Sequence, residues 1–397
     1  MKVAGIIAEY NPFHNGHLYQ IEQLKKQIRP DYIVVIMSGY FVQRGAPALL
    51  SPYERAQMAL SCGVDLVIQL PCIASIASAE FFALQGITLL ERLGCITHLC
   101  FGCEAEPGDF SLLDQIASLY VKEPPHYQTF LKGFLNQGDS YPTARHKATI
   151  RCFPEEDSAV LQHILGHPNN ILAVEYLKAL KRLHSSIEPV SITRTNDYHS
   201  THFHKSSASA SAVRSNIFKQ EDTWKSYVPF ETKQHLETAL KNNLLLREDD
   251  FSFLLHEKLL SYQNTDTDLS RRLINKKEQF LTWTQFVHLV KTKNQTYTGI
   301  SRLLTKILLN APDQQTAFYA LVLGFRKSAS NLLALIKQTS SIPLICKLSR
   351  ADKLLSCEQM QLFSFDLYAA EIYRIAATEK GKQVLPNIYR QSLILLP

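Results

Sequence analysis

No stretch of this 397-residue chain stays apolar long enough to cross a bilayer. The nearest approach, "LVIQLPCIASIASAEFFALQGITLL" (66–90), is interrupted by Gln69, Pro71, Glu80 and Gln85. A secretory leader is missing too: after Lys2 the apolar run extends only from Val3 to Ala8 before Glu9 stops it. Cysteine is sparse, eight residues in all, and without a leader these are expected as reduced thiols rather than a disulfide framework. Charged residues make up 20% against 46% hydrophobic ones, which excludes a disordered chain. There is no internal repeat, no low-complexity tract beyond "SSASASA", and no evident Ser–His–Asp set. These absences lead to the expectation of a soluble cytoplasmic protein without membrane association, long enough for two domains, and no obligate protein partner is evident.

One cluster invites a metal: Cys95, His98, Cys100 and Cys103 in "CITHLCFGC". Its residues also suit a strand, which would point His98 and Cys100 to one face and Cys95 and Cys103 to the other. Structural zinc sites gather ligands from turns and knuckles, so the strand is the expectation and no metal site is assigned.

Charge is unevenly spread. Residues 1–120 hold 7 Lys and Arg against 11 Asp and Glu, and the rest hold 35 against 25. A basic rear portion fits either lysine-rich helical surfaces or a polyanionic partner.

The front of the chain alternates β-rich apolar runs with helical patterns. "KVAGIIAE", "DYIVVIMSG", "VDLVIQLP", "CITHLCFG" and "PVSITRT" read as strands. Between them, "HNGHLYQIEQLKKQI" carries Leu18, Ile21, Leu24 and Ile28 at helical spacing, and "SPYERAQMALSCG" has Ser51 to cap, Pro52 to start and Gly63 to stop a helix. Continuous apolar strands separated by helices predict an α/β fold: a Rossmann-like, doubly wound parallel sheet. From about residue 219 leucine-rich helical segments dominate without a clear strand series, so the expected domains are 1–218 and a mainly α-helical 219–397. Ligands in doubly wound folds bind at the carboxyl ends of strands. That singles out Tyr10–His17, Ser38–Gly45, Leu70–Pro71 and Gly102–Glu104.

Within the first of these, "HNGH" sits where the first strand meets the first helix. Unpaired first-turn N–H groups and the helix dipole favour an anion there. His14 and His17, three apart, share a face, and Gly16 between them lets a ligand approach the backbone. A metal would need a third ligand that is not evident nearby. Polyphosphate binding is therefore the expectation. In "SGYFVQRGAPALLS", Arg44 is either a phosphate or RNA contact or a solvated side chain, whereas Asp65 is expected to cap a strand start.

"HNGH" after a strand resembles the HxGH signature of the nucleotidyltransferase superfamily, and "SASASAVR" approximates its second, serine-rich signature. That resemblance implies charge stabilisation by His14 and His17, and a grip on the outer phosphates by Ser209, Ser211 and Arg214. Beyond these, "GIIAEYNPFHNGHLYQI", "SGYFVQRGAPALLSPYERAQMAL", "GVDLVIQLP", "SYPTAR", "HPNNILAVEYLKAL", "SITRTNDYHS", "SASAVR" and "YALVLGF" resemble the tRNA(Met) cytidine acetate ligase family along nearly the whole chain. The resemblance implies an enzyme that activates acetate with ATP as acetyl-adenylate, then acetylates the wobble cytidine of elongator tRNA(Met). It also implies ATP contacts from Ile7, Ala8, Glu9, Tyr10, Asn11, Pro12, Phe13, His14, Asn15, Gly16, His17, Leu18 and Gln20, from Gly102, from Asn169 or Asn170, and from Arg194. Mg2+ is expected to accompany ATP.

Read from the residues alone, Gly102 is a strand-ending turn glycine, Asn169 a helix cap after Pro168, and Arg194 a cation ending a strand. For tRNA, the basic rear portion offers Lys291, Lys293, Arg302, Lys306, Arg326 and Lys327. Two other functions share some of these features: a small-molecule adenylyltransferase of coenzyme synthesis, and a nucleotide-sensing RNA-binding protein without catalysis.

Overall fold

A computed structural model describes residues 1–104, 110–153, 156, 158–193, 208–312 and 318–397. The front half runs β1 (Val3–Ala8), α1 (Asn15–Ile28), β2 (Tyr32–Ser38), a small hairpin β3 (Phe41–Val42) and β4 (Ala46–Pro47), α2 (Pro52–Ser61), β5 (Leu66–Leu70), α3 (Cys72–Ser75), α4 (Ala79–Leu93) and β6 (His98–Cys103). Five helices follow: α5 (Phe110–Lys122), α6 (Pro125–Asn136), α7 (Tyr141–Cys152), α8 (Ser158–Gly166) and α9 (Pro168–Arg182). After them come β7 (Glu188–Thr193) and α10 (Ala210–Phe218). The rear holds α11 (Phe230–Lys241), α12 (Ser252–Ser261), α13 (Asp268–Lys276), α14 (Trp283–Val290), α15 (Tyr297–Leu309), β8 (Ala320–Arg326), α16 (Ser330–Thr339), β9 (Leu344–Ile345), α17 (Ala351–Leu354), α18 (Cys357–Gly381) and β10 (Ile394–Leu396).

Eight strands form one sheet in the order β10-β8-β5-β2-β1-β6-β7, with β9 beside β8. Every pairing among β5, β2, β1, β6 and β7 is parallel. Both faces are buried, as continuous apolar strands require. Val34 and Ile36 join one core with α4, α5 and α9, while Ile33, Val35 and Met37 join the opposite core with α1 and α2. The strand order reverses between β2 and β6, which flank β1, so the crevice at the carboxyl ends of β1 and β6 is the switch point where such sheets take ligands.

The expected strands and the helices of the first 100 residues are present. α2 carries a full capping box, with Ser51 and Glu54 each satisfying the other's backbone N–H. The portion after residue 219 is mainly helical, as expected, and three strands in it also join the sheet. β8, β9 and β10 come from that portion, and β8 pairs antiparallel with β5. A short apolar run such as "ALVLGFR" among leucine-rich helices does not declare its period. A third core around Trp283, Phe286 and Phe363 fills the rear helices and takes in Tyr40, Phe41, Cys72 and Ile73 from the front half. The two portions are therefore packed together. The strand expected of the cysteine cluster covers His98, Cys100 and Cys103 but starts after Cys95; Cys100 and Cys103 enter opposite cores, and all eight cysteines are free thiols. No helix among the described residues is long and apolar enough to cross a membrane.

Candidate active site

The segment 9–17 turns sharply from β1 into α1. Tyr10 takes a left-handed φ of 47° and the Asn11–Pro12 peptide is cis. Side chains lock the turn. Asn11 Oδ1 accepts from Leu49 N at 2.7 Å, Glu9 Oε1 accepts from Gln43 N at 2.9 Å, and Tyr10 and Phe13 are buried edge to face at 4.8 Å. Ile7 and Leu18 pack into the two cores, and Gln20 reaches Cys100 on β6. Asn15 is tied through both its backbone N–H and its side-chain amide to the carbonyls of Tyr227 and Ser226.

The two histidines form the helix cap. Gly16 N–H donates to His14 Nδ1 at 3.0 Å, and His14 N–H donates to His17 Nδ1 at 3.2 Å, a capping box built from imidazoles. Their rings stack 3.7 Å apart, centre to centre. Both Nδ1 atoms act as acceptors, so each neutral ring carries its proton on Nε2 as a donor. His14 is buried and His17 half-buried, at the positive end of a 14-residue helix. Among the described residues no three His, Cys, Asp or Glu side chains converge on a metal position.

Arg214 reaches this turn from α10. Its Nη1 donates to Asn11 O at 2.6 Å and its Nη2 to Ser211 Oγ at 3.3 Å. Burial pulls its pKa down, and exposed Arg44 stands near enough to push it the same way. Ser209 caps α10 by accepting from Ala212 N at 3.2 Å. The serine-rich segment and the histidine turn, about 195 residues apart in sequence, thus meet through one guanidinium.

Across the crevice, β6 continues to Cys103, so Gly102 lies within the strand, paired with Ile192, and does not end it. The expectation that Asn169 caps α9 also fails. His167 is the N-cap, because Pro168 occupies the first helical position where its missing N–H costs nothing. Asn169 instead donates to Glu104 Oε1, and Asn170, fully buried, accepts from Glu104 N at 2.8 Å. Arg194 lies outside the described residues. The end of β5 is closed rather than open: buried Asp366 on α18 accepts from Cys72 N, Gln69 Nε2 and Tyr319 Oη there.

Sequence reasoning missed Arg55. It is fully buried and donates to Leu50 O at 3.1 Å, Glu9 O at 2.5 Å, Ser38 O at 3.0 Å and Gly39 O. The ends of β1 and β2 are held together by this one side chain, whose pKa burial lowers to about 10. On a helix of pattern "PYERAQMAL" it reads as an ordinary surface arginine; only its burial betrays it.

The basic residues of the rear portion divide. Arg302 and Lys306 lie on α15, which docks on the loop after β2: Ser301 Oγ donates to Gly45 O at 2.6 Å. A Cβ at Gly45 (φ 72°) would stand 2.2 Å from Arg302 N, so only glycine admits that approach. Lys291 and Lys293, both exposed, lead into the same helix. Arg326 and Lys327 are elsewhere. β8 runs antiparallel to β5, so they stand at the amino edge, where Arg326 N donates to Asp65 O at 2.9 Å. Asp65 caps a strand start as expected, accepting from Ile33 N.

The sequence matches the HIGH nucleotidyl transferase family over residues 1–385. It is 36% identical to the tRNA(Met) cytidine acetate ligase of Acetivibrio thermocellus, over 98% of this chain and 99% of the relative. The chain belongs to the tRNA(Met) cytidine acetate ligase family. The ligase of Halothermothrix orenii is 35% identical over 96% of this chain and 97% of its own. Two crystal structures of Thermotoga maritima TmcAL, one apo and one bound with alpha-thio ATP, superpose with a TM-score of 0.89 at 26% identity, each over 100% of both chains. The imidazole cap lies within the residues matched to the HIGH nucleotidyl transferase family.

Proposed function

We propose that this chain activates acetate with ATP as acetyl-adenylate, releases pyrophosphate, and passes the acetyl group to N4 of the wobble cytidine in elongator tRNA(Met). The imidazole capping box carries the reading, because it sets two imidazoles at the N-terminus of α1, where β1 ends and the helix dipole favours an anion. A carboxylate does not acylate an amine at neutral pH, since oxide is too poor a leaving group. Adenylation supplies a good one. No protein nucleophile is needed, only in-line positioning and stabilisation of the departing pyrophosphate. His14 and His17 hold the α-phosphate and leaving group, and Arg214, Ser209 and Ser211 serve the outer phosphates. Gly102, Asn169, Asn170 and Arg194 belong to the nucleoside side. Mg2+ enters with the triphosphate. The portion 219–397 acts as the tRNA-binding domain, with Lys291, Lys293, Arg302 and Lys306 on the active-site side. The protein works in the cytoplasm and requires no obligate protein partner.

The test is incubation with ATP, labelled acetate and total tRNA, which should place label in RNA as acetylcytidine. Pyrophosphate release dependent on nicotinate mononucleotide or phosphopantetheine, without labelled RNA, would overturn the reading.

A further inference from the structure

Two buried polar atoms at the carboxyl end of β6 have no hydrogen-bond partner: Glu104 Oε2 and Asn170 Nδ2. They belong to side chains already locked in place. Asn169 holds the other Glu104 oxygen, Asn170 Oδ1 holds the Glu104 backbone, and Asn170 is fully buried on the first turn of the 15-residue α9. Buried groups left unpaired are costly, so an unpaired acceptor and an unpaired donor on two residues already joined by a hydrogen bond point to a ligand.

We infer that Glu104 and Asn170 form the ribose-reading subsite, Glu104 Oε2 accepting from a sugar hydroxyl whose oxygen in turn accepts from Asn170 Nδ2. The inference rests on the ATP-dependent reading above. A hydroxyl is the group that answers an acceptor and a donor with one atom. Position argues the same way. β6 pairs directly with β1, Ile6 opposite Cys100, so the end of β6 lies one strand spacing, about 4.8 Å, from the turn that holds the phosphates. The sugar is the part of a nucleotide bonded next to the α-phosphate, and the base lies farther out. Gly102, with no side chain, borders the subsite on the strand itself. An acidic side chain at a switch-point crevice is a recurrent partner of ribose hydroxyls.

The experiment is acetate-dependent ATP–pyrophosphate exchange by the full-length protein, with ATP, 2′-deoxy-ATP, 3′-deoxy-ATP and inosine triphosphate compared for wild type and Glu104→Ala. Wild type should show a KM at least 10-fold lower for ATP than for one of the two deoxy analogues. Glu104→Ala should raise the KM for ATP by 10- to 100-fold to meet that analogue, with kcat changed far less. Equal wild-type KM values for ATP and both deoxy analogues would overturn the proposal without any variant. So would a Glu104→Ala protein that keeps the sugar preference, or one that loses its preference for ATP over inosine triphosphate instead. Wild type that exchanges no pyrophosphate with any nucleotide would overturn the ATP-dependent reading itself.

Discussion

His17 holds the turn with the ring that the proposed reaction would also use. Its Nδ1 accepts the His14 N–H, and in the proposed reaction its Nε2–H serves the phosphate end. Replacement by alanine should lower acetate-dependent pyrophosphate exchange by roughly 10²–10³-fold, the usual loss for one preorganised donor. Unchanged exchange would remove His17 from the phosphate end. Arg55 is a different kind of residue, fully buried and holding four carbonyls. Arg55→Lys keeps the charge but cannot reach all four. With each stranded carbonyl costing about 1–3 kcal/mol, thermal unfolding should show a loss of at least that size. The site residues separate along the same line. His14, Gly16 and His17 were legible because three positions carry the whole geometry. Arg55 was not, because its burial and carbonyl partners as far as 46 residues away define it.

Among the elements, α18 is joined to the sheet by one buried carboxyl. Burial raises the pKa of Asp366 to about 6, against the opposing hydrogen bonds from Tyr319, Cys72 and Gln69. The folded protein thus binds this proton more tightly than the unfolded chain. Its stabilising contribution is full below about pH 4 and is lost as pH rises through 6, on the order of 3 kcal/mol in all. Denaturant titrations at pH 4 and pH 7 should show the stability difference between wild type and Asp366→Asn falling by about that amount. A difference constant with pH would mean the carboxyl does not titrate there. At this scale the five front strands were legible, since continuous apolar runs bounded by Gly and Pro leave few alternatives. β8 was not, because it is chosen by its antiparallel place beside β5, some 250 residues away in sequence.

In the whole molecule, the rear portion closes the sheet and also lays α15 over the loop that holds Glu9 and Asn11. A tRNA bound along that helix would bring its anticodon loop to the carboxyl edge, the proposed place of acetyl-adenylate formation. The six basic residues are thereby separable by position. Lys291, Lys293 and Lys306 are exposed on the α15 side, whereas Arg326 and Lys327 stand at the opposite edge. Lys291→Glu, Lys293→Glu and Lys306→Glu combined should weaken tRNA binding and spare adenylate formation. The salt dependence of binding should flatten by about 0.7–0.9 in log–log slope for each phosphate that is no longer neutralised. Arg302 is left out of the set because its backbone packs on Gly45, so changing it would disturb the loop as well as the charge. Arg326→Glu with Lys327→Glu should leave both affinity and slope unchanged. If that pair weakened binding and the triple change did not, the tRNA would approach from the amino edge. Its wobble base would then stand a full strand length from the imidazoles, too far for transfer from a bound adenylate.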